Sequence, residues 1–558
     1  MARPLTAGGR GAMAAIPAPR RRGLGWAWVT LPIAGLLAAP LIAVLLAAAV
    51  PAGEVWRHIA ATTLPEMLAN SLALALLVGG LAVVSGTVTA WIVTACDFPG
   101  RRLFDVALLL PLAMPAYVCG YAYTWLLDVA GPVQSGVRAA TGLGWGQYWF
   151  PEIRSLPGCA LMLAMVLYPY VYLLCRSAFR QQSVCLVEAS RTLGCSLAGS
   201  FYRLALPMAR PAIIGGTALV LMETLADFGT VQHFAVRSFT TGIYEAWFGL
   251  GDRGAASQLA ACLLGLIAAL IMLEQVSRGG RRYHPTTMRH PALQPVRLRG
   301  AQALGAMLAC AVPVALGFLV PAATLVWLAA TVGDPLAPGR FIPFARASLT
   351  LALLTAGLGV LLAALLAWAV RLHPGWAPRL AARVAGLGYA VPGSVIAVGT
   401  LVPLGLFDNA LDGWLRARFG VSSGLLLSGS IAALVFAYLV RFLAVALSAV
   451  ETGLLRIRPS LREAARVLGA RPGQAVAQVE LPLARGSLLT ACLLVFVDTM
   501  KELPATLIVR PFDFDTLAVR VYALAADERL AEASTAALLI VAVGLLPVLA
   551  LTRAMRRG

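Results

Sequence analysis

The chain has few charged residues and almost no lysine. Only 12% of its 558 residues are charged, Asp and Glu together number 25, and Lys501 is the one lysine. A P-loop needs a lysine followed by serine or threonine so that the lysine reaches the phosphates of a nucleotide. Lys501 instead stands between Met500 and Glu502. The sequence therefore excludes an ATP site of this kind within the chain.

Residues suited to metal binding or acid–base catalysis are also sparse. The nine cysteines form no CxxC pair, and the five histidines form no close pair. Closely spaced cysteines and histidines are the usual signature of a metal site, and histidine is the commonest acid–base catalyst. We therefore expect no metal site, no catalytic residue and no cofactor bound by this chain.

Hydrophobic residues make up 60% of the chain, and its mean hydropathy is +0.82, values that indicate a membrane protein. A helix of about 20 apolar residues crosses the bilayer. Such stretches lie near 27–50, 69–95, 104–129, 158–179, 211–235, 255–276, 304–331, 347–371, 381–407, 424–449, 487–509 and 533–551. The sequence thus predicts an all-α membrane protein of about 12 transmembrane helices, arranged as two homologous six-helix halves.

Arginine clusters set the expected orientation, because cytoplasmic loops hold the excess of basic residues. The clusters that fall on one side are 20–22, 101–102, 176–203, 278–299, 371–383 and 553–557. Both termini are therefore expected in the cytoplasm, and 277–303 is expected to be a cytoplasmic linker between a first half, 1–276, and a second half, 304–558. The net charge of +19 follows from these loops, and no basic module that would bind nucleic acid is visible.

A polar motif occurs twice, 275 residues apart, between apolar spans. The first copy, in 188–207, contains Glu188, Ala189, Arg191, Gly194 and Pro207; the second, in 463–482, contains Glu463, Ala464, Ala465, Arg466, Gly469 and Pro482. Glutamate and arginine three residues apart share one helical face, the glycine ends or bends that helix, and the proline begins another. One copy of so short a motif would suit an ordinary polar loop. Two copies with equal intervals indicate that both halves present the same surface to the same kind of partner.

Two acidic pairs lie at equivalent places in the spans after the motif. They are Glu223 and Asp227 in the first half and, 275 residues later, Asp498 and Glu502 in the second. The same interval continues without a gap to Phe239 and Phe514. A carboxylate within the bilayer is costly unless it faces water or a partner, so we expect the four acids at the interface of the halves, partly neutralised by Lys501. They are candidates for lining the path of a charged substrate. The alternatives are polar helix ends and a buried ion-pair network.

The repeated strings, EASRTLG…LP at 188–207 and EAARVLG…LP at 463–482, resemble the EAA loop of binding-protein-dependent ABC importer permeases. Only Ser190 departs from the Glu-Ala-Ala triplet. The resemblance implies the type I ABC importer permease fold, in which the motif helix docks on a cytoplasmic ABC ATPase dimer and transmits its closure to the spans. It also implies a periplasmic substrate-binding protein, a location in the bacterial cytoplasmic membrane, and the use of ATP by the partner subunit alone.

Three longer strings resemble one branch of that family. ETLADFGTVQHF at 223–234, GIYEAWFGLGDR at 242–253 and KELPATLIVRPFDFDTLAVRVY at 501–522 are similar to the fused, two-half permeases of ferric-iron importers. Fused thiamine permeases share the architecture, and sulfate and polyamine permeases share the motif, so those substrates stay open. Duplicated halves with intramembrane acids would equally suit a secondary transporter driven by an ion gradient. The sequence therefore predicts a transport subunit and not an enzyme, with ferric iron as the first candidate cargo.

Overall fold

The computed structural model describes residues 24–50, 53–181, 192, 194–278, 295–333, 339, 341–373 and 375–557. Within these residues the fold is helical apart from one parallel pair of short strands, β1 (Cys96–Asp97) and β2 (Val296–Arg297). The strand pair attaches the end of the 277–303 segment to the first half.

The helices of the two halves follow each other in a similar order. Those of the first half are α1 (Leu24–Ala48), α2 (Glu54–Thr62), α3 (Leu64–Ala95), α4 (Arg101–Ala107), α5 (Ala116–Leu127), α6 (Pro132–Thr141), α7 (Leu156–Gln181), α8 (Leu197–Ser200), α9 (Leu206–Met208), α10 (Arg210–Ala226), α11 (Gly229–His233), α12 (Phe239–Tyr244) and α13 (Arg253–Arg278). Those of the second half are α14 (Ala301–Val314), α15 (Val320–Thr331), α16 (Phe341–Leu372), α17 (Trp376–Leu387), α18 (Gly393–Phe419), α19 (Ile431–Leu455), α20 (Pro459–Val467), α21 (Pro472–Ala475), α22 (Leu481–Lys501), α23 (Pro504–Val509), α24 (Leu517–Ala526) and α25 (Leu530–Arg557). Short 3₁₀ segments lie at Leu110–Ala113 and Gly388–Ala390, and π-helical segments at Phe201–Ala205, Glu245–Gly249, Ala315–Leu319 and Val476–Glu480.

Ten of the described helices are long and apolar enough to cross a membrane, and two bent helix pairs bring the number to as many as 12. The all-α membrane architecture is therefore confirmed. Three expected spans are interrupted. The stretch 104–129 turns by 91° at Pro115, whose ring removes a backbone donor and holds the preceding residue in an extended conformation. The stretch 211–235 breaks after Ala226, and 487–509 breaks after Lys501.

The two halves are intertwined. One hydrophobic core combines α3, α5 and α7 of the first half with α14, α15, α24 and α25 of the second. The other combines α1, α12 and α13 of the first half with α16 to α19 of the second. The first helix of the chain, α1, packs on α17 and α18. The repeats visible in the sequence therefore do not fold as separate packing units.

Equivalent hydrogen bonds relate the halves and correct their alignment. The Ser71 hydroxyl of α3 accepts a hydrogen bond from the backbone N–H of Phe239, and the Ser348 hydroxyl of α16 accepts one from the N–H of Leu517. These two donors begin α12 and α24 and are 278 residues apart. The gap-free pairing of Phe239 with Phe514 was therefore wrong, because the loop before α24 is three residues longer than the loop before α12.

Candidate functional site

The first elements of the site are two helix breaks at the equivalent acids. The Asp227 carboxylate follows the end of α10 and accepts hydrogen bonds from the N–H groups of Thr230 and Val231 and from the Thr230 hydroxyl, at 2.9–3.1 Å. The Glu502 carboxylate follows the end of α22 and accepts one from the N–H of Ala505 at 2.9 Å. Each acid thus receives otherwise unpaired backbone donors at the start of the next short helix, and this local role explains why both spans break there.

A central cavity of about 110 Å³ opens between the halves at these breaks, a volume sufficient for several water molecules. Its wall includes all five candidate path residues, namely Glu223, Asp227, Asp498, Lys501 and Glu502. The remaining wall is largely aromatic and aliphatic, with Tyr117, Tyr170 and Tyr389 contributing rings. The sequence therefore identified a set of residues that the fold brings together from two segments 275 residues apart.

Two of the four acids in the cavity are neutralised by ion pairs. Lys501 Nζ lies 2.9 Å from Asp498 Oδ1, one helical turn away, and Arg441 Nη1 lies 3.0 Å from Glu502 Oε1. Arg441 comes from the middle of α19 and is 7% exposed, and its Nε has no hydrogen-bond partner in the described part of the chain. The alternative interpretation of a buried ion-pair network thus holds for these residues, at the edge of a cavity that contains further acids.

Sequence reasoning missed Arg441, although a lone arginine inside an apolar span was a usable signal. Its position depends on Gly393 at the start of α18. A Cβ at this glycine would collide with Arg441 Nη1 and would lie 2.5 Å from Glu502 Oε1. The ion pair therefore occupies space that exists only because residue 393 has no side chain.

Glu223 differs from the other three acids. It lies in the last turn of α10, and among the described residues no hydrogen bond or ion pair engages its carboxylate. The hydroxyl of Tyr117 is also unpaired in the described part of the chain, and the side chain is only 5% exposed on the cavity wall. The cavity thus contains one uncompensated carboxylate and one buried hydroxyl that is available for a ligand or water.

The second copy of the repeated motif forms an exposed helix and turn. Glu463, Ala464, Ala465 and Arg466 lie in α20, no residue of which is buried. Gly469 follows with φ = +95°, a left-handed conformation that favours glycine. Pro482 lies in the first turn of α22. This arrangement matches the predicted order of helix, turn and re-entry.

The first copy of the motif is described only in part. Glu188, Ala189 and Arg191 lie outside the described residues. Gly194 has φ = +88°, and Pro207 lies in α9, just before a bend of 71° into α10. The two glycines that sequence analysis placed at equivalent positions therefore both adopt the left-handed conformation.

A buried carboxylate anchors the second motif to the spans. Glu480, at the end of a π-helical segment, is fully buried and accepts hydrogen bonds from Trp368 Nε1 at 2.8 Å and Arg371 Nε at 3.1 Å. Arg462, the residue before the motif, approaches the same carboxylate at 3.8 Å. Arg371 also donates to the carbonyl oxygens of residues 454 and 457 at the end of α19. This cluster, which we call the Glu480 clamp, joins α16, α19, α20 and α22, and sequence reasoning did not find it.

Comparison with known proteins identifies what this arrangement belongs to. Residues 82–278 and 358–558 each match the family described as "Binding-protein-dependent transport system inner membrane component". The chain belongs to this family. Because the two matches cover both halves, the expected fused, two-half permease is confirmed, and the permease is a multi-pass inner membrane protein that takes part in binding-protein-dependent transport.

Curated relatives of this permease fall into two lengths. It is 26% identical over 496 residues to the Fe(3+)-transport system permease protein FbpB 2 of Haemophilus influenzae, with 88% of this chain and 90% of that protein covered. It is 29% identical over 210 residues to the molybdenum transport system permease protein ModB of Escherichia coli, with 36% and 88% covered. It is 31% identical over 211 residues to the sulfate transport system permease protein CysT of Salmonella typhimurium, with 36% and 72% covered. The two shorter relatives thus correspond to one part of the chain.

The described residues contain no group of three or more His, Cys, Asp or Glu side chains placed to hold a metal ion. The acids of the central cavity are therefore arranged around a space and do not converge on one point. A cation in this cavity would meet one or two carboxylates, hydroxyl groups and water.

Proposed function

We propose that this permease is the membrane-spanning subunit of an ATP-driven importer of ferric iron. A periplasmic binding protein delivers the cargo, and a separate cytoplasmic ABC ATPase dimer hydrolyses ATP, so the chain itself needs no cofactor. Similarity to a ferric-iron permease over 88% of the chain supports the cargo. The orientation with both termini in the cytoplasm of a bacterial cell follows from the arginine clusters.

The charge of the central cavity carries this proposal. Four carboxylates face it and only two basic side chains, Arg441 and Lys501, compensate them. A formal excess of two negative charges in a low-dielectric site attracts cations and repels oxyanions. This favours a metal cation over the molybdate and sulfate of the shorter relatives. Carboxylate and hydroxyl oxygens are also the ligand types that hard metal ions prefer.

One helix connects the proposed ATPase contact with the cavity. The exposed α20 is joined through α21 and the π-helical segment to α22, and α22 ends with Asp498 and Lys501 in the cavity wall. At about 1.5 Å per residue, the 21 residues of α22 span about 31 Å. A displacement of α20 by the ATPase would therefore reach the cavity through a single rigid element, with the Glu480 clamp at its near end.

The transport assay uses proteoliposomes that contain the permease, its ATPase and, inside or outside as required, the binding protein. ATP-dependent uptake of radiolabelled ferric iron is expected, with no uptake of sulfate, molybdate or thiamine under the same conditions. Putrescine is included because a cationic cavity ligand could also be a polyamine. Uptake of sulfate in place of iron would refute the cargo. Uptake by the permease alone under a proton or sodium gradient would instead identify a secondary transporter.

A second experiment tests the ATPase contact. Val467 and Leu468 at the end of α20 are 87% and 88% exposed, and such apolar exposure marks an interaction surface. Replacing both residues by serine should abolish co-purification of the ATPase while the permease remains folded. Phe512→Ser is the control, because Phe512 is 97% exposed in the loop before α24, away from the motif. Equal recovery of the ATPase with the double variant and the control would refute docking at α20.

A further inference from the structure

We infer that Glu223 is the carboxylate that receives the transported cation in the central cavity, and that the Lys501 ammonium is a built-in counter-cation at the equivalent position of the second half. The inference rests on the proposed cation transport. Asp227 uses both carboxylate oxygens at the start of α11, Glu502 is paired with Arg441, and Asp498 with Lys501. Glu223 alone has no such partner among the described residues.

The internal repeat shows what distinguishes the two positions. Glu223 and Asp498 are equivalent, and each is followed three residues later by the residue that decides its compensation, Ala226 in one half and Lys501 in the other. All four residues line the same cavity. In the second half an ammonium group therefore already occupies the site beside the acid. In the first half a methyl group leaves the corresponding space to an incoming cation.

An independent observation indicates an oxygen-binding ligand in this space. The Tyr117 side chain is 5% exposed, its hydroxyl lacks a partner among the described residues, and it lines the cavity. A buried hydroxyl without a partner costs free energy, and a cation or its hydration water would supply the missing interaction. The hydroxyl and the Glu223 carboxylate are both hard oxygen donors, suited to a multivalent hard cation.

The compensation of Asp498 has a physical purpose in transport. A passing ion must bind well enough to enter and weakly enough to leave. Two uncompensated carboxylates on opposite walls of a cavity of about 110 Å³ would hold a trivalent ion too strongly. Lys501 removes one of them, so the site stays a point of passage and not a trap.

The decisive variant makes the halves alike. Ala226→Lys places an ammonium group three residues after Glu223, as Lys501 stands three residues after Asp498, and should reduce ATP-driven uptake of ferric iron by about tenfold or more. Ala226→Met adds similar bulk without charge and should retain most of the uptake. Equal uptake by the Lys variant and the wild type would overturn the inference. So would an equal loss in both variants, because volume and not charge would then be the cause.

The opposite variant is tested by binding. Terbium(III), a hard trivalent cation whose emission is sensitised by nearby tyrosine and tryptophan rings, is titrated into the purified complex. Lys501→Met should strengthen tyrosine-sensitised binding by about tenfold, because Asp498 becomes available, and Glu223→Gln should weaken it by a similar factor. Lys501→Arg keeps the charge and should bind as the wild type does. Unchanged or weaker binding in Lys501→Met would contradict the role of the ammonium as a counter-cation.

The two proposals fail in different ways. If the wild-type complex does not import iron but the terbium titrations follow the expected order, the cargo is wrong and the cation site stands. If the wild type imports iron and the variants at residues 226 and 501 behave like it, the cargo stands and the assignment of Glu223 and Lys501 is wrong.

Discussion

The Glu480 clamp gives the strongest prediction about stability. Glu480→Ala removes a fully buried carboxylate that accepts hydrogen bonds from Trp368 and Arg371. Removing one partner of a buried ion pair costs about 3–5 kcal/mol, since the other charge remains without compensation. Because the Arg371 side chain is 16% exposed and keeps its two carbonyl acceptors, we expect the lower end, about 3 kcal/mol.

The measurement is the free energy of unfolding in mixed micelles titrated with SDS. The control is Glu66→Ala, because the pair of Glu66 with Arg237 is about half exposed on both sides and should contribute less than about 1 kcal/mol. A double-mutant cycle with Arg371→Ala isolates the pair, and a coupling energy of about 1–3 kcal/mol is expected. A Glu480→Ala variant as stable as the Glu66→Ala control would refute the clamp.

The clamp also predicts an effect on coupling that stability alone would not give. At temperatures where Glu480→Ala is still folded, α20 is no longer held to α16 through the carboxylate. ATP hydrolysis by the complex should then continue while import per ATP falls. The coupling interpretation is wrong if hydrolysis and import fall together in proportion to the amount of folded protein.

Two glycine replacements test the site and the motif. Gly393→Ala should disrupt the ion pair of Arg441 and lower both stability and import, whereas Gly405→Ala in the same helix has open space around it and should be neutral or stabilising by about 0.5–1 kcal/mol; unfolding midpoints and uptake rates of the two variants decide this. Gly469→Val forces a β-branched residue into a left-handed conformation, which costs about 1–2 kcal/mol, and should reduce import per ATP. Gly473→Val, four residues later with no positive φ, is the control for this pair, and equal ratios of import to hydrolysis would contradict the role of the turn.

The sequence was sufficient to predict the class of fold and the membership of the cavity. Apolar length fixes membrane helices, and the equal intervals of the repeat placed Glu223 opposite Asp498 without any structure. What the sequence could not provide was the break of each span at Asp227 and Glu502. A carboxylate that accepts backbone hydrogen bonds ends one helix and begins the next, and this local effect is invisible to a count of apolar residues.

The charged partners were harder to predict because they come from distant segments. Arg441 meets Glu502 across 61 residues, and Arg371 meets Glu480 across 109. Neither pair has a counterpart that the repeat would reveal: the position equivalent to Glu480 in the first half is Ala205. A comparison of the halves finds only what they share, so features that belong to one half require the packed structure.

These unshared charges suggest what a single fused chain makes possible. In a permease built from two identical subunits, every substitution occurs twice, so a lysine beside one intramembrane acid would stand beside both and neutralise the whole site. Here Lys501 stands opposite Ala226, and Arg441 stands opposite Val171 when the Tyr168–Tyr172 and Tyr438–Phe442 runs are aligned. The second half can therefore supply counter-charges while the first half keeps Glu223 uncompensated. Because a passing cation needs one attractive group and must not meet two, the asymmetry allowed by fusion is itself a means of tuning the affinity of the path.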